Sequence, residues 1–302
     1  MIQKNYFKCR IEFMENFYQF SALIAAVTFS SAGILIKKIN IKNFFSIPFY
    51  EGLFSITLMF IFVLLLTNWS DSIGTNSRDA IFYFILAAIL SSTGTIVYIF
   101  SLSKTSVGVV LTICAAFNVL TASTYDYIIN SISFDTLFFI GSILILSSIF
   151  ILNIKSFIGK NEINLYGIFG AMFTGIFWGS AVFLNDRAIS DSNIYTASIT
   201  RSATGIIVML SASIILRKKI DFSNDIKRYK LFLLTALFLF LSNIIWYLSL
   251  DNTTGSLTTI FGSSAPIFGI ILGYIFLREK IGKIELLSII IAFSGIAVMI
   301  SL

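Results

Sequence analysis

Histidine is absent from this 302-residue sequence, which removes His-based triads, HExxH zinc chemistry and imidazole proton shuttles before any motif is sought. Cysteine is nearly absent too. Cys9 and Cys114 lie far apart and fit neither a CxxC metal or redox pair nor a disulfide framework. Charge is scarce, at 12% of residues against about 25% in soluble globular domains. No GxxxxGK[ST] loop occurs, so no Walker-type nucleotide site is encoded. What remains in excess is apolar: 57% of residues, with a mean hydropathy of +0.92. That is the composition of an integral membrane protein. The net charge of +6 sits in short clusters between apolar runs, which makes it a topology signal and not a nucleic-acid surface.

A membrane-spanning helix takes about 20 mostly apolar residues. Ten stretches fit: residues 17–36, 44–67, 80–101, 106–127, 134–153, 165–185, 194–216, 229–249, 255–277 and 284–302. They predict an all-α integral membrane protein of ten transmembrane helices, with residues 1–16 as an N-terminal tail. The longest linker, residues 217–228, is too short for an independent soluble domain. The first stretch is preceded by Glu12 and Glu15 and followed by nine others, so a cleaved signal peptide is not expected. Lysine and arginine concentrate in alternate linkers, fifteen on one side and five on the other, with Arg201 left inside span seven. Because basic loops stay in the cytoplasm, both termini are expected outside a cell (inner) membrane.

Sliding the chain on itself by about 148 residues brings its halves into register. Ser101-Leu102 then faces Ser249-Leu250, Thr105 faces Thr253, Tyr98 faces Trp246 and Asn118 falls on Pro266. Ser31-Ala32 matches Ser180-Ala181 at a shift one residue larger. The repeats are 17–153 and 165–302. Five spans is an odd number, so the second copy enters the bilayer from the opposite face, the inverted arrangement that builds alternating-access transporters.

These residues resemble the drug/metabolite transporter superfamily, specifically its ten-helix EamA-type branch. The likeness is carried by Trp178-Gly179 in span six, Arg201 in span seven, Ser263-Ser264-Ala265-Pro266 in span nine, then Arg278-Glu279-Lys280 and Gly295. The first half is degenerate: Phe29-Ser30 stands for the family's Trp-Gly, Glu51-Gly52 where an arginine is common, and Asn118 in the proline's place. The resemblance implies small-molecule transport, often export, without a nucleotide-binding domain.

Glu51 falls about seven residues into span two, roughly 10 Å below the cytoplasmic surface at 1.5 Å per residue. Ionisable residues at that depth mark solute or proton paths by default; the plainer alternative is an acid solvated by a crevice or a neighbouring hydroxyl. Arg201 lies equally deep in span seven and approaches from the other face, leaving an axial gap of roughly 10 Å for its side chain to bridge, directly or through a bound solute. Its alternative is to snorkel outward. A guanidinium and a carboxylate lining one cavity suit a zwitterion, so amino-acid-like solutes are the first expectation. Titration of Glu51, with proton coupling, or exchange against a counter-solute stays open.

Pro266 sits at mid-span, where its ring and missing N–H are expected to kink the helix as a hinge. Asn118 supplies an amide at the matching depth of span four. Tyr98, Trp178 and Trp246 fall well inside their spans and are candidate pocket walls, with packing as each one's alternative. The pairs Gly175/Gly179 and Gly269/Gly273 are GxxxG patterns assigned to helix packing.

The candidate substrate-binding set is therefore Glu51, Tyr98, Asn118, Trp178, Arg201 and Trp246. No catalytic residue, metal or cofactor is expected. A secondary transporter, exporting a small polar or zwitterionic metabolite through a cavity lined by spans one to four and six to nine, is the leading reading. Transport of a cationic or nucleotide-like metabolite, such as a quaternary amine or S-adenosylmethionine, is the alternative. A membrane-embedded enzyme would want paired acids at one depth, and Asp126, Asp186 and Asp251 read as separated. A channel would want a ring of charge. The expected partners are the small-molecule substrate and the lipid bilayer, with no nucleic acid, in a monomer or homodimer.

Overall fold

An apolar chain in lipid has no water to satisfy its backbone, so each segment closes its own hydrogen bonds as a helix. The computed structural model describes residues 20–35, 45–66, 77–102, 104, 107–152, 154, 164–217, 220, 226–277 and 282–300; these form helices joined by short turns, without a strand. In order they are α1 (Phe20–Leu35), α2 (Ser46–Leu66), α3 (Arg78–Leu102), α4 (Val107–Ile128), α5 (Thr136–Leu152), α6 (Leu165–Ile189), α7 (Ile194–Ile215), α8 (Ile226–Asn252), α9 (Gly255–Gly262), α10 (Ala265–Leu277) and α11 (Lys283–Ile300). Each of the ten predicted spans holds a helix, and span nine holds two. Among the described residues, six spans are long and apolar enough to cross a membrane by themselves, and three further helices are apolar but shorter. The N-terminal tail, Cys9, the Arg278-Glu279-Lys280 motif, most of the basic linker clusters and the extreme ends of several spans lie outside the described residues.

Polar side chains within the helices mostly turn back on their own backbone. Ser142 donates to the Phe138 carbonyl at 2.6 Å and Thr235 to that of Leu231 at 2.8 Å, which hides a hydroxyl that lipid cannot solvate. Outward faces carry bare aliphatics such as Leu65, Ile214 and Ile215, each about three quarters exposed. Turns are closed by side-chain caps: Asn193 accepts from the Tyr195 and Thr196 amides at 3.1 and 3.0 Å, and Thr254 from that of Leu257.

Small residues set the close contacts. A Cβ on Gly175 would come within 2.7 Å of the Cys114 carbonyl, and one on Gly179 within 2.6 Å of Thr121 Cβ, so α6 lies directly against α4. Gly295 brings α11 onto α5 in the same way, 2.9 Å from the Gly141 carbonyl. Gly269 corrects the packing assignment for the second pair: among the described residues nothing lies within 4 Å of its missing Cβ. Sequence spacing marks a small-residue face but not whether a partner helix reaches it.

The contacts recur when the two halves are exchanged. Helix α6 packs on α3 with Thr174 donating to the Gly94 carbonyl, and α1 packs on α8 with Ser242 donating to that of Ala25. Likewise α4 binds α6 through Cys114 Sγ and the Ala171 carbonyl, and α10 binds α1 through Ser30 and the Ala265 carbonyl. Helices α2 and α7 pack on each other, as do α5 and α11. Such bonds between helices in a bilayer average about 0.6 kcal/mol each, so their summed geometry, more than any one of them, holds the bundle.

Pro266 departs from expectation in its local role. It does not kink a continuous helix. Helix α9 ends at Gly262, the Ser263 and Ser264 amides bond back to Thr259 and Phe261, and α10 starts afresh at Ala265 with the Ile267 amide on the Ser264 carbonyl. Proline in a first helical turn lacks only an N–H that had no partner to lose. Helix α4, its repeat counterpart, runs unbroken through Asn118.

Candidate functional site in a central cavity

Where Gly52 on α2 meets α7, a Cβ would lie 2.8 Å from Ile206 Cγ1 and 3.2 Å from the Ser202 carbonyl. That approach sets the neighbouring Glu51 opposite Arg201. Arg201 Nη1 donates to Glu51 Oε1 at 3.4 Å, and the same oxygen accepts from Ser55 Oγ at 2.9 Å and from Asn243 Nδ2, on α8, at 3.0 Å. The axial gap anticipated from sequence is thus bridged directly. Three donors, one of them the countercharge, offset the desolvation of the carboxylate, which costs about 2.5–3.5 kcal/mol for a lone charge at mid-membrane. The two partners are unequally enclosed, with 32% of the Arg201 side chain exposed against 9% for Glu51.

Two hollows adjoin this pair. The larger, about 330 Å³, is central and draws on α1, α3, α4, α6, α7, α8, α9 and α10. The smaller, about 50 Å³, lies between α2, α3 and α7 and holds Glu51. Arg201, Ser91 and Thr95 border both. Helices α5 and α11 line neither, as expected for spans five and ten.

Of the residues singled out from sequence, Asn118, Trp178, Arg201 and Trp246 line the central cavity, together with Pro266. Glu51 does not; it lines the small chamber behind Arg201. The carboxylate and guanidinium therefore face each other instead of both facing one solute. Tyr98 lines neither hollow and packs on the Trp178 ring at 5.4 Å between centroids. Trp178 is set by its N–H bond to the Ser91 carbonyl, 3.2 Å, and by Gly94, where a Cβ would strike the indole at 2.8 Å.

Asn243 and Asn185, also in or beside the cavity wall, were not anticipated. The repeat held a signal for the first: the shift of 148 places Asn243 on Thr95, which borders both hollows.

The acids near span ends also differ from expectation. Asp126 on α4 is 1% exposed; its carboxylate accepts from the Ser256 amide at 2.8 Å and from Asn130 at 2.9 Å. Asp186 on α6 comes to the same point: Asp186 Oδ2 and Asp126 Oδ2 lie 3.6 and 3.8 Å from where a Gly255 Cβ would be. The two are gathered at the start of α9, whose first-turn amides and dipole favour negative charge, while Asp251 stays apart on an exposed turn of α8.

Helices of membrane-spanning composition packed around a central hollow define an all-helical, multi-span membrane protein. Residues 165–301 match the model of the EamA-like transporter family, within the drug/metabolite transporter superfamily. The match is confined to the second half of the chain and stops short of the half in which Phe29-Ser30, Glu51-Gly52 and Asn118 replace the residues of the resembled motifs. A solved crystal structure of a protein superposes on 95% of this chain and 96% of its own with a TM-score of 0.76 at 11% sequence identity, a likeness of fold. No curated protein matches the chain. Membrane transport is the activity the family match indicates.

Proposed function

We propose that the chain is a secondary transporter that exports a small polar or zwitterionic organic solute through the central cavity by alternating access. One observation carries the reading: a hollow of about 330 Å³ is walled by both halves of the chain and has Arg201 as its one charged lining residue among the described residues. A solute carboxylate there replaces Glu51 as the guanidinium's partner, and the released Glu51, still held by Ser55 and Asn243, is the group available for proton or counter-solute coupling. Five spans per half and contacts that recur on exchanging the halves support inverted repeats, 17–153 and 165–302. The break between α9 and α10 supplies the bending point, and Pro266 is its hinge.

Purified protein in proteoliposomes, loaded with mixed labelled amino acids and organic acids, tests this. Wild type releases at least one class, and Arg201→Ala reduces that release by at least about tenfold, the worth of one charge-assisted hydrogen bond. Undiminished flux through folded Arg201→Ala removes the site. A reporter fused after Leu302 reads as external; a cytoplasmic signal overturns the orientation.

A further inference from the structure

Resting on that reading, we propose that the solute is an aromatic monocarboxylate, recognised by its anionic group, and that a solute ammonium group weakens binding. Three observations converge. First, the central cavity is lined by Arg201 and by no Asp or Glu among the described residues; Glu51, the nearest acid, lies in the chamber behind the guanidinium with Oε1 engaged by three donors. An ammonium entering here gives up its water for a site whose only formal charge is positive, and so loses binding.

Second, the wall offers donors. Trp246 lines the cavity, and its indole N–H makes no hydrogen bond among the described residues. Ala265 and Pro266 bring the first turn of α10 to the same hollow, with the positive end of that helix's dipole. Arg201 retains exposed surface toward the cavity while its contact with Glu51 is long, at 3.4 Å, so the fork can take a second carboxylate.

Third, much of the remaining wall is aromatic or small and apolar: Trp178, Trp246, Phe29 and Tyr247, with Ala25 and Ala181. Flat apolar surface of this kind fits a ring. Trp178 has one side occupied by Tyr98 and Trp246 has Tyr247 edge-on at 5.4 Å, which reduces the ring surface left to attract a cation.

Phenylacetate, phenylalanine and phenethylamine share one ring and differ in charge, and so separate the classes. Ligand-dependent melting and proteoliposome flux of the wild type are measured with all three. Phenylacetate stabilises the protein and is transported, phenylalanine binds at least about tenfold more weakly, and phenethylamine gives no shift. Trp246→Phe keeps the ring, removes the N–H and weakens phenylacetate about tenfold. Phenylalanine or phenethylamine binding as well as phenylacetate overturns the solute class and leaves the transporter standing. Equal binding of phenylacetate by wild type and Trp246→Phe overturns the assigned anion site. If no probe binds, the aromatic class falls; if, in addition, nothing in the mixed amino-acid and organic-acid load crosses, the transport reading falls with it.

Discussion

Two buried acids in this protein are held in nearly the same way and stand in opposite situations. Glu51 and Asp126 are both less than a tenth exposed, and each accepts hydrogen bonds from at least two neutral donors. Glu51 also faces a cation, and that cation borders a hollow. Asp126 faces the start of α9 and lines neither of the two hollows. On the proposed reading Glu51 is a working charge and Asp126 a fastening one, and burial and hydrogen bonding alone do not separate the two. The distinguishing feature is whether the partner can exchange the acid for something mobile.

The largest effects fall on the central pair, where stability and flux separate. Glu51→Ala leaves the guanidinium without its countercharge and costs about 3–5 kcal/mol, as breaking a buried pair does, with flux at background. The double variant Glu51→Gln/Arg201→Gln leaves no lone charge; its melting temperature returns to within a few degrees of wild type while flux stays at background. Denaturation in detergent and proteoliposome efflux read the two quantities side by side. A double variant that transports normally would place Glu51 and Arg201 in the fastening class with Asp126.

The outline of the fold was legible because lipid enforces it. Every predicted span holds a helix, since an apolar segment of about 20 residues has no other way to satisfy its backbone. Arg201, Trp178 and Trp246 were legible for the same reason: polar or amphipathic groups at that depth stand out. What the sequence hid was orientation around each helix axis. Gly269 and Gly179 belong to identical GxxxG patterns, yet among the described residues only Gly179 meets a neighbour. Tyr98 and Trp246 occupy matching repeat positions, yet only Trp246 reaches the cavity. Asp126 and Asp186 read as separate because sixty residues divide them, and only the packing of α4 on α6 joins them at Gly255.

At the fastening acid the effect is smaller and of the other kind. Asp126→Ala orphans the buried Ser256 amide and frees Asn130, for a loss of about 1–3 kcal/mol. Transport per folded molecule stays within about twofold of wild type, less than the loss of any one hydrogen bond would give. A flux loss beyond the loss of folded protein would show that the start of α9 moves during transport, and would dissolve the contrast with Glu51.

The smallest effects contrast the two glycine pairs, and here the sign itself is the test. An alanine Cβ at Gly179 meets Thr121 Cβ at 2.6 Å and the Asn118 carbonyl at 2.8 Å. Neither neighbour is the free end of a flexible chain, so α6 must shift from α4, at a cost of about 1–3 kcal/mol. That shift also moves Trp178, one residue away, and Asn118 on the facing helix, both in the cavity wall, so Gly179→Ala lowers flux along with stability. At Gly269 the same Cβ enters open space, leaving the gain from replacing glycine inside a helix, roughly 0.5–1 kcal/mol. Gly269→Ala therefore raises the melting temperature slightly with flux unchanged. A loss at Gly269 equal to that at Gly179 would mean that a helix face bare in the single chain is covered in the membrane.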